Sequence, residues 1–334
     1  MGYRPAAFGL RLRRRPVLNK VERTIELESQ GGLGRFPRPD LLAPVMTQVH
    51  GSLQDAVRMA FLHKSRPKGR IAQPLAAAAD ARFVGVSNGQ GDGTTRMVFL
   101  VPTFESVAPA LFEQQALWPV GPRPQDTAFE VFGSALHAVA QRDPDSSTFD
   151  SAMLRRLQRY RRALKQGVTR IGMPDTSEDR RGWIDKGVLD SASALSSLTP
   201  EPRRVRVAGR VDVMGASQAL LKLDISPRDS VTAIWEGTED VTELREWFGR
   251  DVVLEGVAVF RPSGSLLRID ADAIASATDS DAFFRTVPKP VLRQEYARAT
   301  RLRPGESSAF LQLRGFLPGD ESDDEFEAAL ADLG

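Results

Sequence analysis

Residues 204–213 read RVRVAGRVDV, and this alternation of apolar and charged side chains predicts a half-buried β-strand. The sequence that follows predicts four more strands and one helix. The strands are expected at 220–224, 231–235, 252–260 and 266–269. The helix comes between the third and fourth strands, with Asp240 as its capping residue and Gly249 as the glycine that ends it. Residues 203–275 are therefore expected to form a small β-rich module.

The order of these elements, three strands, a helix and two strands, resembles an OB-fold. That fold is a five-stranded barrel closed at one end by its helix. The resemblance covers residues 203–275, less than a quarter of the chain. It implies that Leu244, Trp247 and Phe248 form the apolar side of the helix and cover the end of the barrel.

The barrel surface offers little for nucleic-acid recognition. Single-stranded nucleic acid is bound by stacking aromatic side chains together with basic ones. The second and third strands offer Lys222 and Trp235, but Asp224 and Glu236 lie beside them, and Trp235 can equally belong to the core. The module therefore fits a structural or protein-binding barrel better than a single-strand-binding one.

The whole chain predicts an α+β fold with more than one domain. Its 334 residues exceed the length that a single hydrophobic core usually supports. The expected parts are a basic N-terminal segment at 1–20, an α+β domain at 21–171, a linker at 172–202, the OB-like barrel at 203–275, and a C-terminal segment at 276–334 with a short helix. The linker is interpreted as only partly ordered because it is rich in proline, glycine and serine.

The α+β domain is expected to begin with a strand at 21–28 and a helix at 40–62. A hairpin with strands at 81–87 and 95–101 follows, because the sequence between them, NGQGDG, is typical of a turn. Further helices are expected at 104–117, 126–140 and 150–166.

Few residues could support catalysis or hold a cofactor or metal. The chain has no cysteine, which excludes disulfides, thiolate nucleophiles and cysteine-ligated metals. Its histidines, His50, His63 and His137, lack the spacing of a helical zinc site. Ser87 matches the Gly-x-Ser-x-Gly pattern of hydrolases, but it leads into a hairpin instead of the required helix. We therefore expect no catalytic, cofactor-binding or metal-binding residue, and we favour a protein that is not an enzyme.

Basic residues are concentrated in two places. Segment 1–20 contains six of them and no acidic residue, and the predicted helix at 151–170 also has no acidic residue. Helical spacing places the basic side chains of that helix on an outer face, opposite a stripe of leucines. The candidates for binding a polyanion are Arg155, Arg159, Arg162 and Lys165. The alternative is a solvated face that also meets the acidic C-terminal end.

The C-terminal end predicts a short docking helix. Ser322 and Glu325 have the spacing of a capping box. Phe326, Leu330 and Leu333 then recur at helical spacing, so they are candidates for docking either against this chain or against a partner.

These observations leave two functional hypotheses. The first is a non-catalytic binding or regulatory protein of the bacterial cytoplasm that engages a protein partner such as a nuclease or toxin. The alternative is a nucleic-acid-binding protein that uses the helix at 151–170 and the basic N-terminus. No apolar segment approaches the length needed to span a bilayer, so no membrane partner is expected. The whole chain also resembles a bacterial protein family to which no activity is attached, and this resemblance implies no functional residue.

Overall fold

The computed structural model describes residues 20–29, 39–67, 73–88, 94–109, 112, 122–176, 182–215, 220–237 and 244–291. These residues form a mixed α+β structure, as predicted, with one five-stranded sheet, one closed barrel and a set of helices. The described residues up to Pro290 belong to one compact unit. Within the described ranges, no helix is long and apolar enough to cross a membrane.

The N-terminal sheet is antiparallel throughout, with the strand order β2-β3-β1-β4-β5. Its strands are β1 (Lys20–Ser29), β2 (Arg82–Asn88), β3 (Thr95–Pro102), β4 (Val168–Gly172) and β5 (Trp183–Ile184). Ile25 of β1 pairs with Met97 of β3, and both are buried, so the alternation seen in the sequence places one face of the sheet in the core. The predicted strand 21–28 and the predicted hairpin strands are confirmed.

Seven α-helices lie in the described ranges. They are α1 (Pro39–Leu62), α2 (Gln73–Ala78), α3 (Phe104–Val107), α4 (Ala128–Ala140), α5 (Ser151–Leu157), α6 (Arg161–Lys165) and α7 (Lys186–Leu198). The predicted helix at 150–166 is present, but a 3-10 turn at Gln158–Tyr160 separates α5 from α6. Of the helix predicted at 104–117, the structure describes a helix only at Phe104–Val107.

The segment interpreted as a linker, 172–202, contains a strand and a helix. It contains β5 and the whole of α7, which Asp185 caps by accepting a hydrogen bond from the Val188 backbone amide at 2.9 Å. The buried apolar residues of α7 are Val188, Leu189, Ala192 and Leu195, spaced as on one face of a helix. This apolar face was missed in the sequence because the many serines between its residues are typical of a linker.

The predicted barrel is present and closed. Its strands are β6 (Arg203–Gly215), β7 (Leu220–Ser226), β8 (Asp229–Trp235), β9 (Asp251–Phe260) and β10 (Leu266–Ser276). They follow one another around the barrel in the order β10-β8-β7-β6-β9, and the β8–β10 pair alone is parallel among these strands. This mixed arrangement is consistent with an OB-like barrel.

The end of the barrel is closed by fewer residues than predicted. Leu244 is fully buried in the barrel core and leads into a 3-10 turn at Arg245–Trp247. Trp247 packs only partly against the core, and Phe248 is 61% exposed, so the expectation that Phe248 faces the barrel is wrong. A 3-10 turn eclipses side chains three apart, so it buries a narrower face than an α-helix does. The predicted start of this helix, 238–243, lies outside the described residues.

Buried charges join the barrel to the helices of the N-terminal part. The Lys64 ammonium donates to the Asp270 carboxylate at 2.7 Å and also pairs with Glu236. The Arg268 guanidinium donates to Asp270 at 2.9 Å and to the His63 carbonyl oxygen at 2.9 Å. These contacts place the segment that follows α1 against the barrel.

Two of the predicted features fall outside the described residues. They are the basic segment before Lys20 and the docking helix with Phe326, Leu330 and Leu333.

Candidate polyanion-binding site

The start of α5 is fixed by one carboxylate. Asp150 accepts hydrogen bonds from the backbone amides of Ala152 and Met153, both at 3.1 Å, and thereby caps the helix. It also accepts from the Ser65 hydroxyl at 2.7 Å and from the Ser65 amide at 3.2 Å. The segment after α1 is therefore held beside the first turn of α5.

The side of α5 and α6 that faces away from the core carries the predicted basic residues. Leu154, Leu157 and Tyr160 are buried on the inner side. The outer side exposes Arg155, Arg159, Arg162 and Lys165, which we call the basic row. Each member lies three or four positions from the next, so neighbours on the surface are about 5–6 Å apart. None of the four is paired with a carboxylate from the described part of the chain.

A second group of cations lies where α5 crosses α1. Asp55 of α1 is fully buried, and the Nε of Arg156 donates a hydrogen bond to its Oδ2. Two more guanidiniums approach the same carboxylate: Arg58 Nη1 lies 3.8 Å from Oδ1, and Arg66 Nε lies 3.8 Å from Oδ2. We call Arg58, Arg66 and Arg156 the arginine cluster. It holds three positive charges around one negative charge.

Small residues of α1 allow this close crossing. A Cβ atom at Gly51 would overlap the Arg156 guanidinium, so any larger residue there would displace that side chain. In the next position, the Ser52 hydroxyl lies 3.1 Å from the Tyr160 hydroxyl in a buried hydrogen bond. Burial raises the pKa of Tyr160 well above its ordinary value, which keeps the phenol neutral.

The electrostatics of Arg58 reflect the excess of positive charge. Burial lowers the pKa of Arg58 most, Asp55 raises it, and the charges of Arg156 and Arg66 lower it further. Guanidinium groups stay protonated in proteins. The lowered pKa of Arg58 therefore means that burial and the neighbouring arginines make its positive charge unfavourable in free energy. An added anion would relieve that cost.

Sequence reasoning found the basic row but missed the arginine cluster. A hint was present in Asp55, a carboxylate set among the buried residues Leu53, Ala56 and Val57 of α1. A carboxylate in such a position needs a counter-charge, but the sequence alone does not say which of the many arginines supplies it.

The described strands β7 and β8 of the barrel offer no surface on which bases could stack. Trp235 is buried in the barrel core, which was one of the two positions that the sequence allowed for it. The described outward-facing residues of β7 and β8 include no aromatic side chain. Asp270 pairs with Lys64 and Arg268, and Asp272 pairs with Arg204 at 2.8 Å, so cations of the protein already occupy both carboxylates.

The remaining candidates for chemistry are dispersed. Ser87 lies on the exposed strand β2 and is followed by another strand residue, whereas a nucleophilic serine of this pattern leads directly into a helix. His50 is hydrogen-bonded to Gln54 at 2.9 Å. His63 lines a cavity of about 240 Å³ that also touches Asp126, Ser134 and Thr148. Among the described residues, no three potential metal ligands lie together.

Comparison of the chain with protein-family models, with curated proteins and with solved structures finds no match. The resemblance to a bacterial protein family therefore has no support from these comparisons, and the basic row and the arginine cluster must be interpreted from their own geometry.

Proposed function

We propose that this protein binds nucleic acid through the basic row on α5 and α6, with the arginine cluster beside it. The observation that carries the proposal is the row of four exposed cations without a neutralising carboxylate in the described residues. The carboxylate of the adjoining arginine cluster, Asp55, is buried and already bound by Arg156.

The physical basis is the release of counterions. Nucleic acids carry condensed cations along their backbone, and each Lys or Arg that neutralises a phosphate releases some of them. The basic row supplies four such side chains over a stretch of about 15 Å, given the rise of a helix. Binding of this kind is strong at low salt and largely independent of base sequence.

The barrel has a supporting part in this proposal. It holds the segment between α1 and α2 through Lys64, and Arg268 reaches the Asp150 carboxylate at 3.6 Å. Asp150 in turn caps α5, on which the basic row begins. The barrel thus stabilises the surface that carries the charges.

A pair of matched variants tests the proposal. The first neutralises the basic row by changing Arg155, Arg159, Arg162 and Lys165 to Gln. The second makes the same change in charge on the barrel, at the exposed arginines Arg203, Arg210, Arg228 and Arg250. Affinity for a fluorescent oligonucleotide is measured by anisotropy in the full-length protein. The row variant should lose at least about tenfold in affinity, and the barrel variant should lose much less.

Equal losses in the two variants would show that only net charge matters and would refute a specific site on α5 and α6. Absence of binding by the wild-type protein at low salt would refute nucleic-acid binding altogether. Circular dichroism of each variant controls for folding.

Recognition of a protein is a second candidate, favoured by strand β2. This strand lies at one edge of the described sheet, and it exposes Phe83, Val84 and Val86. An edge strand can pair with an extended segment of a partner. Val84→Lys should then abolish co-purification of a partner that the basic-row variant still retains. A nuclease or toxin as the partner stays a prediction from the sequence, and the predicted docking helix lies outside the described residues.

A further inference from the structure

The arginine cluster contains more hydrogen-bond donors than Asp55 can use. Arg156 binds both carboxylate oxygens, through Nε to Oδ2 and through Nη2 to Oδ1 at 3.4 Å. The nearest nitrogens of Arg58 and Arg66 remain 3.8 Å away, beyond hydrogen-bond distance. Neither side chain donates a hydrogen bond to any described residue. Within the described part of the chain, these donors are therefore unused.

The cluster is accessible as well as charged. The side chains of Arg58 and Arg156 are 21% and 17% exposed, and that of Arg66 is 44% exposed. Partial burial strengthens the attraction between these guanidiniums and an anion, because water screens the charges less. Asp55 needs only Arg156 for neutralisation, so the other two arginines exceed the needs of the fold.

The net charge of the arginine cluster indicates which kind of phosphate it would bind. After Asp55 is counted, the cluster carries two positive charges in excess. A phosphate monoester carries about −1.5 to −2 at neutral pH, whereas an internal phosphodiester of a nucleic acid carries one negative charge. Guanidinium groups also match the oxygens of a phosphate in paired hydrogen bonds. A monoester therefore fits the cluster better than a diester.

We propose that the arginine cluster binds the terminal phosphate of a nucleic-acid strand, while the basic row follows the phosphodiesters behind it. This inference rests on the proposed function. Arg156 and Arg159 are three positions apart on neighbouring turns, so the cluster and the basic row adjoin. The site would thus recognise the phosphorylated end of a strand through chemistry that is independent of its base sequence.

The test uses one labelled oligonucleotide with hydroxyl groups at both ends, and the same sequence with a 5′-phosphate or with a 3′-phosphate. Affinities for the full-length protein are compared at constant ionic strength. One phosphorylated form should bind about tenfold more tightly than the unphosphorylated form, because charge-assisted hydrogen bonds to two additional guanidiniums become possible. Inorganic phosphate should reduce this preference by competing for the cluster.

Two variants assign the preference to residues. Arg66→Gln should remove the preference for the phosphorylated strand, so that all three oligonucleotides bind alike, and circular dichroism of this variant at an exposed residue controls for folding. Arg162→Gln, in the basic row, should weaken binding of all three oligonucleotides by the same factor.

The outcomes separate this inference from the proposed function. If the wild-type protein binds all three oligonucleotides equally, the cluster does not recognise a terminal phosphate, although nucleic-acid binding stands. If the preference survives in Arg66→Gln, the cluster is not its source, and the inference is wrong. If no oligonucleotide binds, both proposals fall.

Discussion

At the scale of single residues, Asp55 determines how the helical layer is held together. Its carboxylate is fully buried and lies within 4 Å of three guanidiniums. A buried carboxylate is tolerated only when cations and hydrogen bonds replace its lost hydration. The same arrangement leaves the arginines with unused positive charge, so one residue links the stability of the fold to the proposed anion site.

Asp55→Asn should therefore destabilise the protein by about 3 kcal/mol or more, because three guanidiniums would remain without their counter-charge. Urea unfolding measures this loss. Asp190→Asn is the control, since Asp190 pairs with Arg161 on the surface at 3.0 Å and should cost less than about 1 kcal/mol. Inorganic phosphate should stabilise Asp55→Asn more than it stabilises the wild type, because it would replace the missing negative charge. A cost below that of the control would contradict the assignment.

His63 gives the protein a pH dependence of defined sign. Burial, and then the charge of Arg268, lowers its pKa below the ordinary value of 6.5. The folded state thus favours the neutral ring, so stability is fully present above about pH 6.5 and is lost as the pH falls below it. His63 has a backbone φ of 51°, which Asn adopts more readily than most residues, so His63→Asn should flatten the dependence below about pH 6.5. An unchanged slope in urea titrations would refute this.

At the scale of elements, alternation and helical spacing predicted most of the strands and helices. The barrel strands could be predicted because apolar and polar residues alternate in them, as in RVRVAGRVDV. Helix α7 was not predicted, because Ser191 and its neighbouring serines are typical of a linker. In the structure, Ser191 is buried and accepts a hydrogen bond from Arg142. The arginine cluster could not be predicted, since Asp55 and Arg156 are 101 positions apart and meet only after the helices pack.

The element that closes the barrel yields a direct comparison of two side chains. Leu244→Ala should cost about 2 to 5 kcal/mol, because Leu244 is fully buried in the barrel core. Phe248→Ala should cost less than about 0.5 kcal/mol, because that ring is 61% exposed. Trp247→Ala should fall between them, below the full cost of a buried aromatic, since its ring is only partly buried. Chemical denaturation of the three variants would rank them, and a larger cost for Phe248 would contradict the described packing.

At the scale of the whole molecule, the barrel and the helical layer are joined by charges. The alternating strands within residues 203–275 predict that this module folds independently, and this stays a prediction. The structure adds that Val259 and Leu267 of the barrel pack in the same hydrophobic cluster as the N-terminal helices. Arg268, also in the barrel, is 4% exposed beside them. An isolated barrel would expose all three, so its unfolding should be cooperative but easier than that of the full chain.

Lys64 tests this coupling without truncation. Lys64→Met should cost about 3 to 5 kcal/mol, because Glu236 and Asp270 would lose their common cation at a partly buried site. The matched control is Lys186→Met, an exposed lysine at the start of α7, which should cost little. Thermal unfolding of Lys64→Met, followed separately at the barrel and at the helices, would show whether the two parts still unfold at the same temperature. Equal stability of the two variants would show that the charges do not couple them.

The salt dependence of binding tests the central claim most directly. The logarithm of the association constant for a single-stranded oligonucleotide is measured against the logarithm of salt concentration, for the wild type and for the variant with four Gln substitutions in the basic row. If the four side chains neutralise phosphates, the slope of the variant should be shallower by about 3, at roughly 0.7 for each lost contact. Identical slopes for the two proteins would contradict the proposal that α5 and α6 form the binding surface.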